Sequence, residues 1–215
     1  MRRKTSERAH LVNPQEVVRP RPGKLPAASL MLKLAARSKV EIRCQEEEIS
    51  IQVQKWISSI VRSGGMHMVA IATSIEVNVP VRTAYNQWTQ FEEFPKFMDG
   101  VIEVHQLNDR RLHWKAVLGG VEREWDAEII EQIPDQRIAW KSMSGTLHEG
   151  IVTFEPVSNA KSMVRLHMAY DPQGIVETVG DEMGTVSMRV KDDLKRFKDF
   201  IESLGKETGA WRGTI

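Results

Sequence analysis

The stretch RLHWKAVLGGVEREWDAE, residues 111–128, predicts the fold of this chain because it joins two alternating β-strands through a tight turn. Gly119-Gly120 at its centre is a strong signal for a two-residue hairpin, since glycine tolerates the positive φ angles of such turns. This turn pairs Trp114 with Trp125 on one face of the hairpin. The other face of the second strand is acidic: Glu122, Glu124, Asp126 and Glu128. One apolar and one charged face predict an antiparallel sheet that is buried on one side.

The residues before this hairpin predict a further strand, Val101–Leu107, on its other side. A three-residue loop between the strands places Val104 opposite Trp114, with both side chains on the apolar face. The same register places Ile102 opposite Ala116. A two-residue loop would instead set apolar side chains against charged ones, so three residues are predicted.

Two histidines are predicted to be neighbours on the outer face of these strands, His105 and His113. Two histidines do not make a zinc site, and the remaining histidines show no ligand spacing. The sequence also has no glycine-rich phosphate loop, no nucleophile triad in a recognisable order and no paired inward carboxylates. We therefore assign no catalytic residue, no metal and no cofactor from the sequence.

The rest of the chain after residue 68 completes a sheet with a helical cover. Four stretches alternate like strands and bring the predicted count to seven: Val69–Val79, Arg137–Ser142, His148–Glu155 and Ser162–Tyr170. Between the strand Val69–Val79 and the strand Val101–Leu107, aromatic residues recur at helical spacing and predict two short helices that break at Pro95. A long helix over residues 176–204 follows from apolar residues at steps of three or four, with Lys191, Asp192, Asp193, Lys195, Lys198 and Asp199 on its solvent side.

This order of elements, together with three local motifs, resembles the START-like superfamily, also called the polyketide cyclase/dehydrase or SRPBCC group. The opening segment IEVNVPVRTAYNQWTQFEEFPKFMDGV, residues 75–101, has the proline and aromatic pattern of the superfamily's first helices. The segments EGIVTFEPV, residues 149–157, and VRLHMAYDP, residues 164–172, resemble its last two strands. The resemblance covers Val69–Leu204.

The resemblance implies an α+β helix-grip fold, START/Bet v 1-like. In it, a curved seven-stranded antiparallel sheet wraps around a long C-terminal helix, with two short helices after strand 1. The chain looks most similar to the coenzyme-Q-binding and cyclase/dehydrase-like branch, whose members bind quinones, lipids or polycyclic aromatics. The superfamily has no universal catalytic motif, so the resemblance transfers no catalytic residue.

A curved sheet cannot lie flush against a straight helix, so a gap between them is filled by side chains or by a ligand. Gly180 and Gly184 lie one turn apart on the long helix and would thin it beside Met183, and Gly150 is small and inward. Close backbone packing is the alternative explanation for these glycines. The residues predicted to line the gap are aromatic: Trp114, Trp125, Trp140, Phe154 and Tyr170. They suit either a plain core or an apolar ligand site.

Two polar residues are predicted to point to the same inner face of the sheet as these aromatic residues. Arg123 is expected opposite Ala116 near the hairpin turn, where it could bind a carbonyl or carboxylate of the ligand, or could stack on a tryptophan at the rim. His148 begins a strand and is read either as an acid–base group or as a histidine with satisfied hydrogen bonds at the sheet edge. Both are included in the predicted ligand site.

The resulting hypothesis is a non-catalytic protein that binds or carries an apolar small molecule. The enzyme alternative is an aromatase/cyclase-type protein acting on a polyketide, with Arg123, His148 or Tyr170 as acid–base helpers. The third class is a protein-interaction module of the same superfamily, for instance a ribosome-associated one, which would need an exposed apolar patch.

The first 67 residues are predicted to lie outside the domain, which we place at residues 68–205 with a C-terminal tail at 206–215. Residues 1–65 carry 13 Lys/Arg and 6 Asp/Glu and are rich in proline near the start. They are read as a disordered tail, as a basic arm for RNA or an anionic membrane, or as a transit peptide. The codons of Ser63-Gly64-Gly65 can also encode a bacterial ribosome-binding sequence, which would start the protein at Met66 or Met68.

Charge and cysteine content limit which binding partners and which cellular compartment are expected. Residues 66–215 carry 17 Lys/Arg and 23 Asp/Glu, so the folded part is not expected to bind nucleic acid. Cys44 is the single cysteine, which excludes an intrachain disulfide and favours a reducing compartment. No apolar run is long enough for a membrane span. The expected location is the cytoplasm.

Overall fold

The computed structural model describes residues 68–145, 148–172 and 184–215. The predicted extension, residues 1–67, lies outside these ranges. The strands are β1 Val69–Val77, β2 Val101–Gln106, β3 Arg111–Leu118, β4 Val121–Ile133, β5 Arg137–Ser142, β6 His148–Ser158 and β7 Lys161–Tyr170. The helices are α1 Val81–Trp88, a 3-10 helix Phe91–Lys96, and α2 Gly184–Leu204.

The seven strands form one sheet in the order β1-β7-β6-β5-β4-β3-β2, and every neighbouring pair is antiparallel. Two short helices follow β1, and a long helix follows β7. These findings confirm the predicted α+β helix-grip architecture. Of the predicted C-terminal helix, residues 184–204 form α2, and the part before Gly184 lies outside the described residues.

The central hairpin has the predicted register. Trp114 pairs with Trp125 across this hairpin, and His105 pairs with His113 between β2 and β3, both as predicted. Gly119 and Gly120 form the turn, with φ angles of 57° and 80°. The angle of 80° at Gly120 is one that only glycine adopts without strain. Local hydrogen bonding across a two-residue turn determines this register, so the alternation in the sequence was sufficient to find it.

The predicted pairing of Ile102 with Ala116 is wrong. Val101 is the partner of Ala116, because the register of β2 shifts between Val101 and Glu103. This irregularity adds one residue to β2 and turns Ile102 outward, where 45% of it is exposed. Val101 takes its place against the apolar interior.

The core lies between the sheet and the helices and is mainly aromatic around α1 and the 3-10 helix. Trp88 packs edge-on against Phe197 of α2, with 4.8 Å between ring centroids, and Phe97 packs against the same residue at 5.2 Å. Phe197 and Ile201 are fully buried, so this half of α2 is held tightly on the core. None of the helices in the described ranges is long and apolar enough to cross a bilayer.

Residues 206–215 pack against the domain although the sequence set them apart as a tail. The backbone of Ile215 exchanges two hydrogen bonds with Gln132 of β4, at 3.0 and 3.2 Å. Arg212 forms an ion pair with Asp135 at 2.6 Å, and Thr208 bonds to Gln87 of α1. The C-terminal segment thereby covers polar side chains of α1.

Candidate ligand-binding site

A cavity of about 190 Å³ lies between the inner face of the sheet and the first half of α2. Its walls come from β2 to β7, from the opening segment between α1 and β2, and from α2. Two small residues on the inner face, Ala116 of β3 and Ala127 of β4, line it and are almost fully buried. Because these positions carry methyl groups in place of large side chains, the space between the sheet and α2 stays open.

Three of the predicted aromatic residues, Trp114, Trp125 and Trp140, line this cavity. Trp114 and Trp125 are stacked in parallel, with ring centroids 5.9 Å apart and an interplanar angle of 8°. Trp140 lies directly on the backbone of Gly150, where a Cβ atom would come within 2.3 Å of its Cζ2 atom. Close packing is therefore the structural reason for glycine at position 150.

His148 also lines the cavity, at the start of β6. Its ring meets Trp125 edge-on, with 5.3 Å between centroids. Burial removes the charged imidazolium from water and lowers the pKa of His148 to about 4. The imidazole is therefore neutral at physiological pH and acts as a hydrogen-bonding group there, and as a weak base.

Three polar atoms on this wall are buried without a hydrogen-bond partner among the described residues. They are Nε1 of Trp114, Nε1 of Trp125 and Nε2 of His148. Buried polar atoms are rarely unpaired in folded proteins, and each such atom in a native structure calls for an explanation. All three belong to residues that line the cavity, but the nitrogen atoms themselves are covered by neighbouring groups and do not face the open space.

The opposite wall has a charged corner formed by Asp99, Arg189 and Asp193. The Asp99 backbone N–H donates to Oδ1 of Asp193 at 2.9 Å, and Arg196 donates to the same carboxylate. Nη1 of Arg189 donates to the carbonyl of Val117 at 3.3 Å. Burial raises the pKa of Asp193 above its ordinary value.

The prediction that Asp193 lies on the solvent side of the long helix is wrong, since only 16% of its side chain is exposed. It follows Val190 by three residues and Arg189 by four, so it continues the cavity-facing side of α2. Arg189 likewise follows Val186 by three residues. This spacing is the signal in the sequence that places two polar residues, Arg189 and Asp193, on the cavity side of the helix.

The remaining predicted site residues lie elsewhere. Phe154 is in the core, edge-on to Tyr85 at 5.5 Å and to Trp88 at 6.1 Å, and is not among the lining residues. Tyr170 is fully buried at the end of β7, opposite His148 and Val69 in the two neighbouring strands.

Arg123 sits opposite Ala116 as predicted and is partly buried, but it also lies outside the cavity lining. Gly184 is the first residue of α2. Gly180 and Met183 lie outside the described residues. Ligand binding by each predicted residue stays a prediction.

The opening segment supplies part of the cavity that the sequence analysis did not assign to it. Trp88, Phe91, Phe94 and Met98 line the cavity next to Asp99. The helical spacing of Trp88, Phe91 and Phe94 correctly predicted two short helices, but it gave no sign that these rings border a cavity. Which of these rings also border an empty space depends on how the helices lie across the sheet.

Comparisons with known proteins show to which family this chain belongs. Residues 77–199 match the sequence profile of the family described as polyketide cyclase / dehydrase and lipid transport. A protein of Streptomyces lincolnensis, described as an uncharacterized 17.2 kDa protein in the melC2-rnhH intergenic region, is 50% identical over 149 residues, which are 69% of this chain and 99% of that protein.

Two solved structures show the same fold at low sequence identity. The Zhui aromatase/cyclase from Streptomyces sp. R1128 has a TM-score of 0.54 and 11% identity, over 67% of this chain and 100% of that one. A START superfamily protein from Mycobacterium smegmatis has a TM-score of 0.52 and 13% identity, over 64% of this chain and 99% of that one. The START-like fold predicted from the sequence is confirmed.

Proposed function

Because this chain belongs to the polyketide cyclase/dehydrase and lipid transport family, we propose that it binds a compact apolar ring compound in the cavity between the sheet and α2. The observation that supports this most is the cavity itself, which has aromatic and aliphatic walls and few polar groups, the usual composition of small-molecule sites. At about 190 Å³ it is smaller than the ~300–1,000 Å³ of typical ligand pockets. This size favours a quinone or polycyclic aromatic over a long-chain lipid.

The walls suit a planar ligand. The indoles of Trp114 and Trp125 are stacked in parallel and both line the cavity, and Ala116 and Ala127 leave room beside them. Planar aromatic ligands stack on such surfaces and gain free energy by leaving water. The coenzyme-Q-binding-like branch suggested by the sequence stays a prediction within this proposal.

The test is to fill the cavity without disturbing the rest of the core. Ala127→Leu should place its side chain in the open space and fold with little loss of stability. Tetralin, a two-ring hydrocarbon, should raise the melting temperature of the wild-type protein, since a ligand that binds only the folded state stabilises it. In Ala127→Leu this ligand-dependent shift should disappear. Differential scanning calorimetry with and without tetralin measures both quantities.

Ala84→Leu is the matched control for this experiment. Ala84 is as fully buried as Ala127 but lies in α1, outside the cavity lining. Overpacking there should cost about 1–3 kcal/mol and leave the tetralin-dependent shift intact. No shift in the wild type, or an equal shift in Ala127→Leu, would contradict the proposal.

A cyclase-type enzyme is the second candidate, supported by titratable groups at the cavity, His148 and Asp193. A general base works best with a pKa near the working pH, and His148 with a pKa of about 4 is a weak one. Binding without chemistry is therefore favoured. Incubation with a linear poly-β-ketone and mass spectrometry of the recovered compound separates the two: loss of water that depends on His148 would establish catalysis, and unchanged compound supports a carrier.

A further inference from the structure

The side chain of Arg189 reaches from α2 to the sheet beside the cavity. Arg189 lines the cavity, and its Nη1 atom donates a hydrogen bond to the backbone carbonyl of Val117 in β3 at 3.3 Å. Gly100 lies next to the same nitrogen, because a Cβ atom at position 100 would come within 3.6 Å of Nη1. The guanidinium group is therefore held against the backbone of the sheet through one of its nitrogens.

The other edge of this guanidinium, formed by Nε–H and one N–H of Nη2, carries two parallel hydrogen-bond donors. Arg137 uses the same edge elsewhere in the domain, where its Nε and Nη2 atoms donate to the two carboxylate oxygens of Glu131 at 2.9 and 2.7 Å. In Arg189 these two nitrogens have no hydrogen-bond partner among the described residues, and neither is among the buried unpaired atoms. This edge of Arg189 is therefore free and open to an incoming group.

The positive charge of Arg189 is not paired with a carboxylate within the described part of the chain. Asp193 lies one helical turn away, but it accepts hydrogen bonds from Arg196 and from the Asp99 backbone N–H. The side chain of Asp99 is exposed, so water weakens the effect of its charge. Removing a cation partly from water costs free energy unless an opposite charge pairs with it. Because Arg189 is partly buried, an anionic group of a ligand would stabilise it.

A carboxylate fits this free edge better than a neutral oxygen. Its two oxygens match two parallel N–H donors, and hydrogen bonds between charged groups are about twice as strong as those between neutral groups. The remaining lining of the cavity is mainly aromatic and aliphatic, and its volume of about 190 Å³ leaves room for a compact ring system. A ligand that combines the two features has an apolar ring body and one acid group.

We propose that Arg189 is the specificity-determining residue of the cavity, and that the Nε–H and Nη2–H edge of its guanidinium binds the carboxylate of a ring acid whose apolar rings fill the cavity. This inference rests on the proposed function, since it concerns the ligand of the same cavity. It adds the prediction that the protein discriminates between ring compounds of equal shape by their charge. The bond from Nη1 to Val117 positions the guanidinium for this contact before the ligand arrives.

A matched pair of ligands tests the proposal on the full chain. Tetralin-6-carboxylate and tetralin-6-carboxamide have the same ring skeleton and nearly the same shape, and they differ in charge. Isothermal titration calorimetry at pH 7 should show at least about tenfold tighter binding of the carboxylate to the wild-type protein, since hydrogen bonds to charged groups contribute more than neutral ones. In Ala127→Leu, where the added side chain fills the cavity, binding of the carboxylate should be lost.

Arg189→Gln removes the charge and the paired donors and keeps an amide N–H for the carbonyl of Val117. The preference for the carboxylate over the carboxamide should fall to within about twofold of unity, because only the charged contact distinguishes the two ligands. Lys191→Gln is the matched control, because it removes one positive charge from the same helix at an exposed position outside the cavity lining. The preference should persist in this control. If Arg189→Gln does not fold, Arg189→Leu makes the same test.

Three results would overturn the role of Arg189 and leave apolar binding standing, provided that tetralin still stabilises the wild-type protein. The first is equal affinity of the wild type for the carboxylate and the carboxamide. The second is an equal loss of preference in Arg189→Gln and Lys191→Gln, which would indicate attraction by the overall charge. The third is unchanged binding of the carboxylate in Ala127→Leu, which would place the ligand outside the cavity. If tetralin and both of its derivatives fail to bind, the proposed function is overturned together with this inference.

Discussion

His148 and Asp193 are titratable side chains on opposite walls of the cavity. Burial favours the neutral form of both. The pKa of His148 is lowered to about 4, and the pKa of Asp193 is raised. Both shifts arise because the folded protein replaces water around the charge with apolar groups. The cavity is therefore built to carry little charge at the tryptophan wall, and this property has a measurable dependence on pH.

We predict that His148 makes the folded state less stable as the pH falls from about 6.5 to about 4. In this window the unfolded chain binds a proton at His148 and the folded protein does not, so stability rises with pH and is lost on acidification. The contribution between pH 7 and pH 5 is about 2 kcal/mol. Urea unfolding at both pH values should show a smaller drop for His148→Gln than for the wild type. An identical drop in both proteins would show that His148 is not buried in its neutral form.

At the scale of elements, the pairing of β5 with β6 places Trp140, which lines the cavity, against Gly150. Trp140 of β5 pairs with Gly150 of β6 and covers it, so the ring lies flat along the sheet. A side chain at position 150 would have to push this ring toward the cavity. The hairpin turn differs, because Gly120 has open space around it and needs glycine only for its φ angle of 80°.

Gly150→Ala and Gly120→Ala should therefore separate a steric effect from a conformational one. The first should lower the free energy of unfolding by about 1–3 kcal/mol and weaken the binding of tetralin, because the displaced Trp140 ring enters the cavity. The second should cost about 1–2 kcal/mol through the left-handed backbone alone and leave binding unchanged. Urea unfolding and calorimetric titration measure both effects. Unchanged tetralin affinity in Gly150→Ala would show that the ring has another way to move.

At the scale of the whole molecule, the C-terminal segment joins α1 to β4. Asn86 and Gln87 of α1 are buried although they are polar, because Glu207 and Thr208 bond to their side chains. Arg212 bridges Asn86 and Asp135, and Ile215 continues the hydrogen bonding along β4. These contacts join parts of the chain that are far apart in sequence.

Deletion of residues 206–215 should therefore destabilise the domain by about 1–3 kcal/mol, since several hydrogen bonds worth about 0.5–1.5 kcal/mol each are lost together. Deletion of residues 1–67 should leave the free energy of unfolding unchanged, as expected for an extension outside the domain. Chemical denaturation of both shortened proteins beside the full chain measures this contrast. Failure of the chain that starts at Met68 to fold would contradict the proposed domain boundary.

The sequence by itself determined the seven strands and the register of the central hairpin, but it did not reveal the irregularity in β2 at Ile102. Alternation of apolar and charged residues around Gly119-Gly120 was enough to place Trp114 opposite Trp125, because strand pairing through a tight turn is a local interaction with one favourable register. The opening segment and the last strands carried the resemblance that predicted the fold, and the apolar spacing of the long helix predicted its cover.

Only the tertiary structure decided which residues border the cavity. The position of Asp193 on the inner side of α2, the inward turn of Val101 and the burial of Asn86 each depend on contacts between distant parts of the chain. Phe154 points to the same inner face of the sheet as the tryptophans, yet it packs in the core because α1 lies over it. Periodicity tells which face of an element is apolar. How a helix lies across a curved sheet depends on the summed packing of many side chains, and this packing leaves the space that a ligand can fill.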